Sequence, residues 1–285
     1  MKLDGRREST NVEDRRGMSG GKAAGLGLGG IAIVAIITLM MGGNLGDVLQ
    51  NVQNSGGLGF NTESSYESTP EYEELATFSK QVLALTEDVW APYFKQNGLG
   101  TYRNPTLVLY SGNTATACGT GQAAMGPFYC SGDEKLYIDL SFFATMKQQL
   151  GADGDFAYAY VIAHEVGHHV QNLLGDLNKA HQQMARMNKT DSNRMSVRIE
   201  LQADCYAGVW AHYIDEVLDD DDLMEAIKCA QVIGDDYLQK KAQGYAVEES
   251  FTHGTAAQRM RWLKKGLSTG NIALGNTFEL SDREL

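Results

Sequence analysis

The sequence predicts an α+β fold, in which a mainly helical domain carries a small β-sheet and is preceded by a single N-terminal transmembrane helix. Three observations predict this fold. Two short apolar runs rich in β-branched and aromatic residues interrupt the first part of the folded region, and the pattern from residue 141 onward is helical almost to the end. Nearer the N-terminus, residues 23–43 contain no charged side chain. At 285 residues, the chain has room for one domain of this kind.

Composition excludes several classes of protein. The chain is 43% hydrophobic and 21% charged, so most of it should bury a core rather than remain disordered. Its formal net charge is -12, whereas a protein that binds nucleic acid needs a basic face. Four cysteines are too few for a small scaffold held together by disulfides. We therefore expect an acidic folded domain that binds no nucleic acid.

The uncharged residues 23–43 are the candidate membrane segment. As a helix they would reach about 31 Å, close to the hydrocarbon thickness of a bilayer. A membrane anchor, the apolar region of a cleaved signal peptide and a buried helix are the three interpretations. The long preceding segment and the lack of an Ala-x-Ala pattern after Met41 favour the anchor. Because an excess of Lys and Arg stays inside the cell, the N-terminus is predicted to be cytoplasmic. Basic residues that precede the segment include Arg6, Arg7, Arg15, Arg16 and Lys22.

These observations divide the chain into four parts. Residues 1–22 are predicted to form a cytoplasmic tail, and residues 23–43 the transmembrane anchor. Residues 44–69 are rich in Asn, Ser, Gly and Glu and are predicted to be a flexible linker. Residues 70–285 would then form one folded domain outside the cytoplasm.

Local patterns place the first helix and the strands. Thr69 and Pro70 are typical of a helix start, and apolar residues at helical spacing predict a helix over residues 70–94. Strands are predicted at Thr106–Tyr110 and at Leu136–Leu140, with a loop or ribbon between them.

The four cysteines allow three disulfide pairings, and the sequence does not choose between them. We favour Cys118 with Cys130 and Cys205 with Cys229, because each pair closes a short loop or joins neighbouring helices. The alternative is four small buried thiols. An oxidising compartment would favour the disulfides.

The most informative stretch is a predicted helix over Phe156–Leu174 that contains the motif H-E-x-x-H. His164 and His168 are four residues apart, so their imidazoles project from one helix face and can share a metal ion. Glu165 is placed to reach a metal-bound water rather than the ion itself. Zinc suits a site of imidazoles with an open position. His169 points off the shared face, which indicates a supporting or structural role.

A third ligand is predicted on the helix Asn193–Leu218. Glu200 and Asp204 again lie four residues apart on one face. Glu200 can bind the ion, and Asp204 can accept the second ring N–H of a ligating histidine and so fix its orientation. The alternative is a solvated acidic pair. The small residues that would let this helix pack closely against the His164 helix are Ala203, Ala207 and Gly208.

In these motifs the chain resembles the gluzincin group of zinc peptidases and, more closely, the bacterial neutral zinc metallopeptidase family. The resemblance covers nearly the whole chain. It implies a zincin-like metallopeptidase domain with one Zn²⁺ per chain, a peptide or protein substrate and a membrane-anchored arrangement. It places the protein in the bacterial inner membrane as a single-pass protein with a periplasmic or extracellular catalytic domain, and it identifies no natural substrate. The matching segments are Gly5–Arg7, Asn11–Arg16, Ala117–Gly119, Cys130, Tyr137–Leu140, His164–Gln171, Glu200–Cys205 and Thr252–Gly254.

Peptide hydrolysis at such a site also needs a base and a donor that faces the developing oxyanion. Glu165 would take the proton of the water and pass it to the leaving amine. His253 is the candidate donor, because Thr255-x-x-Gln258 fits a capping box that opens a helix through Leu267 and fixes the loop before it. The alternative for His253 is a structural role. The weaker candidates for the donor are His181 and His212.

The function predicted from these residues is that of a membrane-anchored, extracytoplasmic zinc metallopeptidase. Two alternatives remain open: a non-catalytic, zinc-stabilised binding module of the cell envelope, and an amidase that acts on cell-wall peptides. Other acidic groups, Asp219–Asp222 and Asp235-Asp236, are predicted to be solvated.

Overall fold

The computed structural model of the protein describes residues 1–17, 68–219 and 221–285. The predicted anchor and all but the last two residues of the predicted linker lie outside the described residues. Within the described ranges, no helix combines the length and the apolar character needed to cross a bilayer. The predicted α+β class is confirmed, since helices make up most of the described chain and accompany a small four-stranded sheet.

Helix α1 (Pro70–Gln96) begins where the sequence predicted. The hydroxyl of Thr69 accepts a hydrogen bond from the backbone N–H of Tyr72 at 3.3 Å, and Pro70 occupies the first turn. The helix extends two residues beyond the predicted end at residue 94. Its buried face, which includes Trp90 and Phe94, packs into the main hydrophobic core.

The sheet holds three parallel strands and one antiparallel edge strand. Its order is β1 (Val12–Asp14), β2 (Thr106–Tyr110), β6 (Lys135–Asp139) and β5 (Phe128–Cys130), and only β5 runs antiparallel to its neighbour. Strand β2 has the predicted bounds, and β6 begins and ends one residue before the predicted ones. Two further described strands, β3 (Asn113–Thr116) and β4 (Gly119–Gln122), lie outside this sheet.

Side chains alternate between the two faces of the sheet, as the pleat requires. Leu107 and Ile138 point into the main core beneath the helices. Val108 and Tyr137 point to the opposite face, where they form a second apolar cluster with Cys130. The helical layer that carries the candidate metal ligands therefore lies on one side of the sheet.

Strands β3 and β4 form a separate antiparallel ribbon between β2 and β5. The sequence predicted a loop or ribbon in this segment. Cys118, which follows β3, is bonded to Cys130 in β5, so the predicted Cys118–Cys130 disulfide is confirmed. The bond ties the ribbon to the edge strand of the sheet.

The second half of the chain is helical, as predicted. The helix with the H-E-x-x-H motif ends at Gly175, whose φ of +82° suits glycine. The helix that carries Glu200 begins four residues earlier than predicted and ends at His212 rather than Leu218. These helices are α2 (Ser141–Thr145), α3 (Asp155–Leu174), α4 (Asp176–Met184), α5 (Lys189–His212), α6 (Asp222–Val232), α7 (Asp235–Gln243) and α8 (Ala256–Thr269).

The predicted disulfide between Cys205 and Cys229 is wrong. Both residues are buried free thiols, and burial raises the pKa of each to about 12. Both thiols lie near the buried Asp204, but Cys205, on α5, lies beside Gly275 and near Lys265, whereas Cys229, on α6, lies near Arg259. The two helices turn these side chains toward different neighbours, so the alternative of buried thiols applies to this pair.

The first residues of the chain belong to the folded domain. Strand β1 pairs in parallel with β2, and Leu107 N–H donates to Asn11 C=O at 2.9 Å. Leu3 and Ser9 are buried. The prediction that residues 1–22 form a tail separate from the domain is therefore wrong for residues 1–17.

Candidate metal centre

The three predicted metal ligands converge in the structure. His164 and His168 project from one face of α3, and Glu200 reaches them from α5. Glu200 Oε2 lies 3.1 Å from His164 Nε2, and Glu200 Oε1 lies 3.5 Å from His168 Nε2. One ligand atom from each residue lies within 4.8 Å of the other two. Two imidazole nitrogens and a carboxylate oxygen are the donor set of a catalytic zinc site, so these residues fit the ion that the sequence predicts.

Each of the two candidate histidine ligands is also held through its Nδ1 atom. His164 Nδ1 lies 2.8 Å from Asp204 Oδ1, and His168 Nδ1 lies 2.8 Å from Gln171 Oε1. Both oxygens can only accept a hydrogen bond, so Nδ1 of each histidine carries the proton and donates it. In a neutral imidazole, Nε2 then keeps its lone pair and can bind a metal. The amide of Gln171 is fixed in turn, since its Nε2 donates to the backbone oxygen of Ile199 at 2.7 Å. Asp204 therefore lies where the sequence predicted, whereas the role of Gln171 was not predicted.

Asp204 is fully buried and is held by two further groups. Arg259, on α8, donates to both of its carboxylate oxygens at 2.9 Å, and the hydroxyl of Tyr160 donates at 2.6 Å. Burial acts to raise the pKa of Asp204, but Arg259 and His164 outweigh it and lower the pKa to about 2. The carboxylate is therefore ionised, which orients the imidazole of His164 and increases its basicity.

The approach of α5 to α3 depends on a glycine inside the motif. A Cβ added to Gly167 would lie 2.8 Å from Ala203 C=O and 3.1 Å from Ala203 Cα. The prediction of close packing against the His164 helix is thus confirmed for Ala203. Gly208 instead faces α8, where an added Cβ would lie 2.1 Å from Leu263 C=O.

Replacing Gly167 with Ala should weaken zinc binding and destabilise the fold by about 1–3 kcal/mol, because the added methyl group pushes against backbone rather than against a side chain that can move. The better helix propensity of Ala recovers only about 1 kcal/mol. Zinc titration and denaturant unfolding would measure both effects. Gly17→Ala is the control, since nothing lies within 4 Å of its added Cβ. Equal zinc affinity in the two variants would contradict the packing argument.

Glu165 is buried beside the metal ligands but is not one of the converging donors. Burial raises the pKa of its carboxyl group, and the neighbouring His168 and His164 act in the opposite direction. A carboxylate with a raised pKa that faces the ligands is suited to accept and return a proton near neutral pH. The position agrees with the role predicted from the sequence.

His253 lies on the loop before α8, where the predicted capping box is present. Its Nδ1 is 3.0 Å from Thr252 Oγ1 and 3.4 Å from Asp235 Oδ1. Burial acts to lower the pKa of His253, but the carboxylates of Glu200 and Asp235 outweigh it and raise the pKa. The imidazole is therefore a good donor, and its second nitrogen is available to the cavity that it lines.

Asp235 shapes this loop, and the prediction that it is solvated is wrong. The side chain is fully buried, and Oδ2 accepts hydrogen bonds from the backbone N–H groups of Thr252, His253 and Gly254 at 2.7–3.0 Å. Asp222, in the other acidic group, is also buried at 4% exposure. Three backbone donors stabilise an ionised carboxylate inside the protein, so Asp235 fixes the loop that presents His253.

One cavity of about 550 Å³ joins these groups. It is lined by His164, Glu165, His168, Glu200 and His253, and by Phe128 and Tyr129 of the edge strand β5. Most of the remaining lining is apolar. Further apolar lining residues are Met125, Pro127, Phe142, Leu150, Val161 and Leu238.

The other histidines divide as follows. His169 is completely buried, with Nε2 2.6 Å from the backbone oxygen of Arg103 and Nδ1 3.0 Å from the hydroxyl of Tyr129, which is a structural position. Burial lowers its pKa to about 4. His181 lines the cavity. His212 lies outside it, with Nδ1 2.8 Å from Leu267 C=O.

Comparison with known protein families matches residues 1–278 to the family described as "Putative neutral zinc metallopeptidase". The chain is 48% identical over 285 residues to the "Uncharacterized protein YpfJ" of Escherichia coli (strain K12), which covers 98% of this chain and 99% of that protein. It is 41% identical over 207 residues to the "Uncharacterized protein Rv2575" of Mycobacterium tuberculosis (strain H37Rv). That match covers 68% of this chain and 67% of the relative. No solved structure matches the chain.

Proposed function

Because the chain belongs to the neutral zinc metallopeptidase family, we propose that it is a zinc-dependent peptidase with Glu165 as its general base. One observation carries the proposal: a buried carboxylate that does not ligate shares a cavity with three converging metal ligands. A purely structural zinc site has no use for a base. The alternative of a non-catalytic binding module therefore leaves Glu165 unexplained.

His164, His168 and Glu200 would hold one Zn²⁺ per chain. When bound, zinc would lower the pKa of a water molecule and polarise the scissile carbonyl. Glu165 would accept the proton of the water and return it to the leaving amine. Asp204 and Gln171 would keep the two imidazoles in their tautomers throughout.

A peptide or protein is the proposed substrate. Strand β5 ends the sheet on the side of the cavity, and no other described strand pairs with its free edge. An extended peptide can hydrogen-bond to such an edge, which would carry it past the metal ligands. Phe128 and Tyr129 of this strand line the cavity, so a peptide on the edge would lie beside them.

Membrane attachment and an extracytoplasmic location are part of the proposal. Residues 23–43 are proposed to attach the protein to the bacterial inner membrane. The Cys118–Cys130 disulfide supports a location outside the cytoplasm, because such bonds persist in oxidising compartments.

Metal analysis combined with cleavage of a random peptide library tests the function. The full chain should be used, because residues 1–17 are part of the fold. We expect one zinc per chain and cleavage that stops when a chelator removes the metal. Turnover of cell-wall fragments without peptide cleavage would instead identify an amidase. Zinc binding with neither activity would overturn the enzyme assignment in favour of a binding module.

Replacing His253 with Ala should lower kcat by about 10²–10³-fold, the usual effect of losing one donor to an oxyanion. Zinc content should not change, because His253 is not among the three converging ligands. His212→Ala is the control, since His212 lies outside the cavity. Steady-state kinetics on a cleaved library peptide would measure the effect. Equal kcat in both variants would remove the role assigned to His253.

A further inference from the structure

The N-terminal segment, residues 1–17, is built into the same domain as the candidate site. Its strand β1 pairs in parallel with β2, and backbone hydrogen bonds join the two strands at both ends of the paired residues. Leu107 N–H donates to Asn11 C=O at 2.9 Å, and Arg15 N–H donates to Leu109 C=O at 2.7 Å. Hydrogen bonds of this length require both strands to lie on the same side of a bilayer whose apolar core is about 30 Å thick.

A buried carboxylate of α1 fixes the segment before β1. Glu87 is 5% exposed and accepts hydrogen bonds from Ser9 Oγ at 2.6 Å, Asn11 Nδ2 at 2.7 Å and Arg7 Nη2 at 2.9 Å. These three residues supply the donors that a buried charge needs. Without the N-terminal segment, Glu87 would lose all three of these bonds. The docked residues 1–17 therefore supply hydrogen bonds that a buried side chain of the domain needs.

The end of the N-terminal segment lies next to the start of α1. The guanidinium of Arg16 is 3.3 Å from the backbone oxygen of Tyr72 and 3.1 Å from Glu73 Oε2. Gly17 and Ser68, the residues on either side of the gap in the described chain, therefore lie in the same region of the domain.

We infer that residues 1–17 lie on the same side of the membrane as the candidate metal site, docked on its domain. A single crossing that separates a cytoplasmic N-terminus from an external domain is not compatible with this fold. The inference rests on the proposed membrane attachment but not on the proposed peptidase activity.

The structure also explains why the pattern of Lys and Arg predicted a cytoplasmic N-terminus and an external domain. The positive-inside rule counts Lys and Arg that are free to remain at the cytoplasmic surface. Here Arg7 pairs with Glu87 and Asp88, Arg15 pairs with Glu13, and Arg16 pairs with Asp14 and Glu73. These arginines are bound to acidic partners in the folded domain.

Cysteine labelling of the full chain in spheroplasts tests the sidedness. Thr10→Cys and Ser268→Cys place single exposed thiols on the N-terminal segment and on the domain, and Asp4→Cys is a second N-terminal position. The parent chain is the control, because Cys205 and Cys229 are buried. We expect a membrane-impermeant maleimide to give the same result at all three positions before lysis, and to label all three after lysis. Labelling of the N-terminal and domain positions from opposite sides would overturn the inference.

Docking can be checked in the same membranes with a zero-length carbodiimide. Lys135 in β6 forms an ion pair with Glu13 in β1, so the reagent should join them. Lys135→Arg keeps the positive charge but removes the reactive amine, and it should abolish the cross-linked peptide. Absence of the cross-link in the parent chain would contradict the docking of residues 1–17.

Discussion

Replacing Glu165 with Gln should lower peptide hydrolysis by about 10²–10⁴-fold and leave zinc content unchanged. The amide has the shape of the carboxylate but cannot take a proton, and general-base catalysis contributes a factor of this size. The three converging ligands are untouched. Because burial already disfavours the charged form of Glu165, a neutral side chain should fold there without loss of stability.

The measurement is library-peptide cleavage at matched zinc content. Glu248→Gln is the control, because Glu248 is exposed and lies outside the cavity. Cleavage by Glu165→Gln at the parental rate would show that another group is the base. Loss of zinc in the variant would show that Glu165 holds the metal site together rather than moving a proton.

The sequence was sufficient for the part of the site that depends on helical spacing. His164 with His168 and Glu200 with Asp204 are pairs four residues apart, so each pair shares a face once its helix forms. A glycine within the first motif lets the two helices approach, and the polar pairs then converge. The disulfide between Cys118 and Cys130 was predictable for a similar reason, since it closes a short local loop.

Groups that enter the site from distant parts of the chain could not be read from local patterns. Asp235 lies in an acidic pair at a helix start, a pattern typical of solvent, and only the folded loop around Thr252–Gly254 shows that it is buried. Strand β1 has three residues, which is too short for an alternating pattern to be recognised. The arginines that flank this strand resembled topological signals, because Glu87, a partner of Arg7, and Glu73, a partner of Arg16, are more than 50 residues away in the chain.

Arg259 is the clearest residue of this kind, and its replacement with Met should destabilise the protein by about 3–5 kcal/mol. Arg259 is 3% exposed and lies 55 residues from Asp204, to which it donates two hydrogen bonds. Methionine keeps the apolar stem but leaves the buried carboxylate without its positive partner, which is the costly way to break a buried ion pair. Tyr160 and His164 would still bond to Asp204, so the loss should fall near the lower end of this range.

Denaturant unfolding in the presence of a chelator would measure this change apart from any contribution of zinc. Asp204→Asn in the same chain should recover part of the stability, because the unpaired charge is then removed. Zinc affinity should fall about 10–100-fold in Arg259→Met, since Asp204 without Arg259 would hold the imidazole of His164 less firmly in one position. Arg261→Met, at an exposed position two residues further along α8, should change stability by less than about 0.5 kcal/mol. Equal stability and zinc affinity of the Arg259 and Arg261 variants would show that Tyr160 and His164 alone are enough to fix Asp204.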